Sequence, residues 1–212
     1  MSFYEEHILP HVINCACGMK TVAKQREKIV PQARGQVLEV GMGSGLNLPF
    51  YHTDAVDFVW GLEPSSGMRT KAQANIDAAS VAVRWLDLPG EHIPLEDNSV
   101  DTVLLTYTLC TIPDWFAALK QMQRVLKPEG KLLFCEHGVA PDENTRRWQR
   151  RIGPLWKKIG GGCHLDRDIP LLLQEAGFEI EKMDAAYIKG PKFTAYNSVS
   201  YTHLRAHETK AN

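Results

Sequence analysis

The sequence predicts an α/β fold: an open, mostly parallel sheet with helices packed on both faces. Three observations predict it. Short apolar runs alternate with helix-length amphipathic segments along the chain, the pattern of repeated strand–helix–strand units. The first run, Gln36 to Val40, ends on a glycine-rich turn, Gly41-Met-Gly43-Ser-Gly45. The second, Asp57 to Leu62, ends on an acidic residue, Glu63.

Taken in order, residues 2–29 read as helical, with Leu9, Val12, Ile13 and Ala16 at helical spacing. The run 36–40 is too brief for a helix and stops at glycine, so it is a buried strand. The run 57–62 is a second strand, and Ser65 or Ser66 beyond it caps a helix through about Ala78. Strands follow at 82–85 and 102–106. A helix over 114–126 stops before Pro128-Glu-Gly130, and a strand occupies 131–136. Residues 142–159 form a helix that Gly153-Pro154 is expected to break in two, closed by Gly160-Gly-Gly162. A helix over 167–176, with Gly177 past its end, precedes a strand at 179–187. No repeat or linker interrupts this order, so residues 1–197 read as one domain.

Composition excludes several classes. A net charge of −1 lacks the basic surplus that nucleic acid demands. No apolar run approaches the roughly 18 residues that span a bilayer, and the N-terminus has no secretory core, so a cytoplasmic location is expected. Five cysteines, an odd number without a C-x-x-C pair, read as reduced and packed as small apolar groups. His7, His11 and Cys15 share a helical face, but Pro10 interrupts it and no fourth ligand is near, so no metal is expected.

Ligands of open parallel sheets bind beyond the carboxyl ends of the strands, where the chemistry-bearing residues of this chain fall. Gly41, Gly43 and Gly45 let the backbone turn tightly against a ligand. The dinucleotide fingerprint wants glycine or alanine where this chain has Leu46, which counts against a nucleotide-dependent oxidoreductase. Glu39, just before the turn, repels a pyrophosphate and suits a cofactor carrying an amino group and a sulfonium. Glu63 is placed to accept both hydroxyls of a ribose. Glu91, with Asp87 as competitor, is placed to read an adenine amino group.

The motifs Val37–Gly45, Gly61-Leu-Glu-Pro64, Ile93–Asp101, Leu109-Cys-Thr-Ile-Pro-Asp114 and Arg124–Lys131 together resemble those of class I methyltransferases with a Rossmann-like sheet. They are most similar to the group around the quinone-biosynthesis C-methyltransferases. Glu136-His137, Trp148-Gln149, Pro154-Leu-Trp156 and Gly161-Gly-Cys-His-Leu-Asp-Arg167 further resemble bacterial relatives of the thiol-methyltransferase-like proteins. The resemblance covers residues 3–197. It implies S-adenosyl-L-methionine as cofactor, held by Glu39, Gly41, Gly43, Gly45, Glu63, Glu91 and Thr106. It also implies a small or lipid-like acceptor: a thiol, an amino lipid or a quinol. His137 is the candidate general base, oriented by Glu136. His164 is placed at the acceptor pocket, with Tyr107 and Asp114 as further lining. A catalytically silent cofactor-binding protein of the same fold is the alternative.

Two expectations concern the surface and the tail. Residues 146–158 combine six cations with Trp148, Ile152, Leu155 and Trp156; they form either a lid over the pocket or a basic amphipathic helix that rests on an anionic membrane. Residues 199–209 match the translation of a transposase-type sequencing adapter, so 198–212 is expected to be a non-native tail, although it alternates as a strand would. The resemblance implies an antiparallel seventh strand beginning where that tail begins. Its truncation would leave unpaired backbone between the fifth and sixth strands and a poorly stable chain.

Overall fold

The computed structural model describes residues 4–204. Its sheet contains β1 (Gly35–Val40), β2 (Val56–Leu62), β3 (Val83–Leu86), β4 (Val100–Thr106), β5 (Leu126–His137), β6 (Phe178–Tyr187) and β7 (Tyr196–Leu204). The strand order is β3-β2-β1-β4-β5-β7-β6. Neighbours from β3 to β5 pair parallel, and β7 runs antiparallel to both β5 and β6.

Period-two alternation fills the two layers on either side of this sheet. Leu38, Val103, Leu105, Leu132 and Phe134 pack into one cluster. Val37, Leu104, Leu133 and Cys135, their chain neighbours, pack into the other. The first layer is closed by α4 (Trp115–Val125) and α6 (Ile169–Glu175), through Leu119, Met122, Val125 and Leu173. The second takes Ile29 at the end of α2 (Lys20–Ile29). Helix starts follow capping chemistry. Ser65 caps α3 (Ser66–Asp77), Asp114 caps α4, Asp142 caps α5 (Glu143–Ile159) and Asp168 caps α6, each accepting a first-turn N–H.

Three local expectations need correction. The single helix over 2–29 is a π-turn at Tyr4–Ile8, then α1 (Leu9–Cys17) and α2; residues 2 and 3 lie outside the described residues. Gly18 ends α1, and Met19 adopts extended backbone before α2, a break that glycine's poor helix propensity favours. Pro154 does not divide α5. Gly153, beside it, meets nothing within 4 Å, so no packed neighbour forces a bend there.

The third correction is the expected gap in the sheet. Residues 196–204 fill it, pairing Cys135 with Val199, Phe134 with Ser200 and Leu132 with Thr202 on one side. On the other, Asp184 pairs with Val199 and Ile180 with Thr202. The domain boundary expected at residue 197 therefore falls inside β7, while residues 205–212 lie outside the described residues. Pairing is satisfied by backbone alone, so a polar but alternating segment meets it. One face of β7 offers Val199 and Tyr201 to the core. The other buries Ser198, Ser200 and Thr202, in register with Glu136, Phe134 and Leu132. The Thr202 hydroxyl there has no hydrogen-bond partner, which costs about 1–3 kcal/mol. Thr202→Val is therefore expected to raise stability by about 1 kcal/mol, seen as a melting midpoint higher by a few degrees. An unchanged or lower midpoint would show the hydroxyl to be satisfied.

Candidate active site

The carboxyl ends of β1, β2 and β4 open onto a cavity of about 320 Å³, within the range of small-molecule sites. Its floor is the glycine turn. Gly41 and Gly43 both line it, at φ +68° and +59°. A Cβ on Gly41 would lie 2.3 Å from the Thr108 methyl and 2.4 Å from its hydroxyl, so the turn and the β4 loop approach as closely as they do only through glycine. Gly45 is also left-handed, at φ +75°, but it turns the chain toward Leu48 and does not line the cavity.

Glu63 lines the cavity at the end of β2. Its Oε2 accepts the Gly43 N–H at 3.0 Å and its Oε1 the Ser65 N–H at 2.8 Å. Burial raises its pKa, and those two bonds oppose the rise. Glu91 lines the same cavity and accepts the Asp114 N–H at 3.3 Å. Its competitor Asp87 faces a separate surface depression beside Arg69 and Trp85. Asp114 is the cap of α4 and lies outside the cavity, whereas Tyr107 lines it.

Glu39 is buried at 1% exposure but does not line the cavity. The Tyr51 hydroxyl donates to it at 2.6 Å and the Asn47 amide at 2.9 Å. Asn47 also donates to the Thr106 hydroxyl at 2.9 Å, and Arg26 Nη1 donates to both Asn47 and Thr106 at 2.7 Å. Glu39 thus anchors a network whose cavity-facing members are Thr106 and Arg26. Burial, against the Tyr51 and Asn47 hydrogen bonds, pushes its pKa up to about 7. A carboxyl raised on folding binds its proton more tightly in the native state, so stability falls as pH rises from about 4.5 to about 7. The shift corresponds to roughly 3 kcal/mol. Glu39→Gln is expected to gain on the parent in melting temperature across that window, with no gain at pH 4. Parallel melting curves would contradict this.

The candidate base His137, its expected partner Glu136 and His164 do not line the cavity. His137 ends β5, is 8% exposed and points its Nε2 at Cys163 Sγ, 3.2 Å away. Its ring stacks on Tyr107 with centroids 6.4 Å apart, and it does not line the cavity. Burial pulls its pKa down, but the Cys163 sulfur outweighs burial and the net shift is upward. The hydrogen bond from Cys110 and the neighbouring His137 lower the pKa of Cys163, against burial. Glu136 does not orient His137. Its Oε1 accepts the N–H groups of Thr108 at 2.6 Å and Leu109 at 3.0 Å, fixing the turn after β4, and burial pushes its pKa up to about 7. His164 also stays off the cavity wall. Its backbone N–H donates to the Cys110 carbonyl at 2.9 Å, and burial, then the Arg167 charge, lowers its pKa.

A further wall is α1, through Leu9, Pro10, Ile13, Asn14 and Cys17, with the Ser44 hydroxyl of the glycine turn donating to Asn14 Oδ1 at 2.6 Å. Basic α5 contributes no cavity residue among those described, although Gly161, just past its end, does. Periodicity missed Arg26, Asn47 and Tyr51. Arg26 carried a signal, being the one cation at helical spacing with Val22 and Ile29 on the buried face of α2.

The sheet order, with an antiparallel strand between β5 and β6, and the acid-lined glycine turn define a class I methyltransferase fold. Residues 38–134 match the family described as a methyltransferase domain. Human thiol S-methyltransferase TMT1B is 34% identical over 185 residues, 82% of this chain and 75% of that protein. The rat protein of that name is 35% identical over 147 residues, 67% of this chain and 59% of its own length. A SAM-dependent methyltransferase from Thermotoga maritima has the same fold, with a TM-score of 0.66 at 20% identity over 95% of this chain and 98% of that one. The chain belongs to the S-adenosylmethionine-dependent methyltransferase family that contains these thiol S-methyltransferases.

The residues present fit that cofactor. The glycine turn leaves a cradle that a Cβ would fill, and Glu63 is fixed by two backbone groups at its rim. Arg26 is 5% exposed, lines the cavity and has a buried Nε without a partner.

Proposed function

We propose that this chain methylates the sulfur of a small lipophilic thiol. The single observation that carries the choice of acceptor is the make-up of the cavity wall. Among the described residues no histidine lines it, and the His137 imidazole points its Nε2 at Cys163 instead. A thiol with pKa near 8.5 is partly ionised at neutral pH, whereas an amine or phenol near 10 needs a base to react. The apolar side chains of Leu9, Ile13, Ile112 and Pro113 suit an alkyl or aryl thiol. The relatives named thiol S-methyltransferase support the same choice.

Bound S-adenosylmethionine supplies an electrophilic methyl carbon on a sulfonium. In this reading Glu63 holds the ribose, Glu91 the adenine edge, and Arg26 the carboxylate. Thr106 keeps Arg26 in place. α1 excludes water and aligns the acceptor opposite the methyl group, and alignment of this kind lowers a barrier by roughly 7–11 kcal/mol.

The outer face of α5 fits the collection of such an acceptor from the cytoplasmic side of a membrane. Trp148 is 59% exposed and Leu155 66%, amid Arg147, Arg150, Arg151, Lys157 and Lys158, a mixture that binds anionic interfaces. No described helix is long and apolar enough to cross a membrane. The test is methyl-labelled cofactor offered with alkyl thiols, amino lipids and quinols. Label should appear on the thiols, with a rate that rises with pH toward the thiol pKa. Label on amino lipid or quinol instead would overturn the assignment.

A further inference from the structure

We propose that Cys110, His137 and Cys163 form a binding site for one zinc-class divalent cation, next to the cofactor cavity and separate from the residues that line it. Their donor atoms all lie within 4.8 Å of one another, and His137 Nε2 is 3.2 Å from Cys163 Sγ. With metal–sulfur bonds near 2.3 Å and metal–nitrogen bonds near 2.0–2.1 Å, a tetrahedral centre sets its ligands about 3.5–3.8 Å apart. One spacing lies just below that range and none exceeds 4.8 Å, so shifts of about an ångström in the side chains would seat a cation. Among the described residues this is the one group of three or more histidine, cysteine or acidic side chains so arranged.

The three ligands come from three separate stretches: the turn after β4, the last residue of β5, and the glycine loop after α5. That loop depends on Gly161 and Gly162, at φ +61° and +89°, to bring Cys163 inward. It is fixed in several places. The His164 N–H donates to the Cys110 carbonyl at 2.9 Å, and Arg167 Nη1 donates to the Leu109 carbonyl. The Gln149 side chain, fully buried in α5, donates to the Leu165 carbonyl at 2.9 Å. Tyr107 stacks on the His137 ring. The site is thus held by the fold without a metal, as a preorganised centre should be.

Chemistry selects the cation. Two thiolates and an imidazole are a borderline-soft set that favours zinc over magnesium or calcium. On binding, two protons go to solvent, one from the Cys110 thiol and one from the proton shared by Cys163 and His137, and two metal–sulfur bonds and one metal–nitrogen bond form with no change of oxidation state. Two thiolates, a neutral imidazole and a divalent cation sum to zero charge, the form that a buried site tolerates. All three side chains are buried, and His137 Nδ1 lacks a protein partner. No described residue of these types supplies a fourth ligand, so the centre has the three-ligand, open-position form. Tyr107, Thr108, Thr111 and Gly161, chain neighbours of Cys110 and Cys163, line the cofactor cavity. A bound cation would therefore stiffen that wall.

The test uses the full chain, stripped with a chelator and titrated with cobalt(II) or zinc(II). One equivalent should bind. The cobalt form should show thiolate-to-metal charge transfer and the intense ligand-field bands of a tetrahedral site. Cys110→Ser and Cys163→Ser should each weaken binding by more than the roughly 10–100-fold cost of losing an outer-shell partner. Independently of any variant, mercurial titration of the zinc-loaded parent should release one zinc per chain. The proposal falls if no stoichiometric metal binds, if the cobalt spectrum survives removal of both cysteines, or if fresh protein holds a Cys110–Cys163 disulfide instead.

Discussion

Arg26→Met is expected to weaken S-adenosylmethionine binding by about thirtyfold or more. Arg26 is a buried cation whose Nη1 is committed to Asn47 and Thr106 and whose Nε has no partner in the protein. In the proposed site its charge meets the cofactor carboxylate, and truncating one member of a buried, hydrogen-bonded charge pair costs about 2–5 kcal/mol. Stability should fall as well, because Asn47 Oδ1 loses its donor in a fully buried position. Calorimetric binding at a temperature where the variant remains folded separates the two effects. Arg26→Lys, which keeps the charge and loses the planar fork, should fall between variant and parent. Equal affinity in all three proteins would remove Arg26 from the cofactor site.

Gly41→Ala should cost both folding and binding. Alanine at φ +68° carries a backbone penalty of about 1–2 kcal/mol. Its Cβ would also overlap the Thr108 side chain at 2.3 Å. Thr108 cannot swing away freely, since its hydroxyl donates to the Gly41 carbonyl at 3.3 Å and its N–H to Glu136 at 2.6 Å. The glycine turn and the β4 loop must therefore separate, which moves two walls of the cavity at once. We expect a melting midpoint several degrees lower and cofactor affinity reduced at least tenfold. Thr108→Ala in the same chain removes the two closest contacts and should restore part of both losses. Absence of any rescue would show that the loss comes from backbone strain alone.

The fold was legible wherever a local rule decides structure. Buried strands such as 36–40 and 102–106 announce themselves as short apolar runs, and their ends at glycine or acid place the cavity. The cap at Ser65 follows from side-chain chemistry that acts within one turn. Gly41, Gly43, Glu63, Glu91 and Thr106 were legible as cavity residues because topology brings every parallel strand end to one edge. What was not legible depends on contacts distant in sequence. Asn47 and Tyr51 meet Glu39 through the irregular loop that follows the glycine turn, where no helical or strand spacing signals the contact. Cys110, His137 and Cys163 are separated by 27 and 26 positions, and only the closed sheet brings them together. The order β5-β7-β6 places a polar segment in the sheet interior, where hydropathy argues against it and backbone pairing decides.

The histidine reading shows the limits of placement by topology. Position at the carboxyl end of β5 was correctly read for His137, but the direction of its side chain was not. Its imidazole stacks on Tyr107 and meets Cys163, from the loop after α5, at 3.2 Å. A strand end supplies a location, and the facing loop supplies a direction.

The central claim is that the acid-lined glycine turn holds S-adenosylmethionine, and direct calorimetric titration of the purified chain with that cofactor tests it most plainly, with NADH as the comparison ligand. The account predicts one S-adenosylmethionine bound per chain, affinity lost on Glu63→Ala, and no heat from NADH. Binding of NADH, or no binding of S-adenosylmethionine by folded protein, would contradict it.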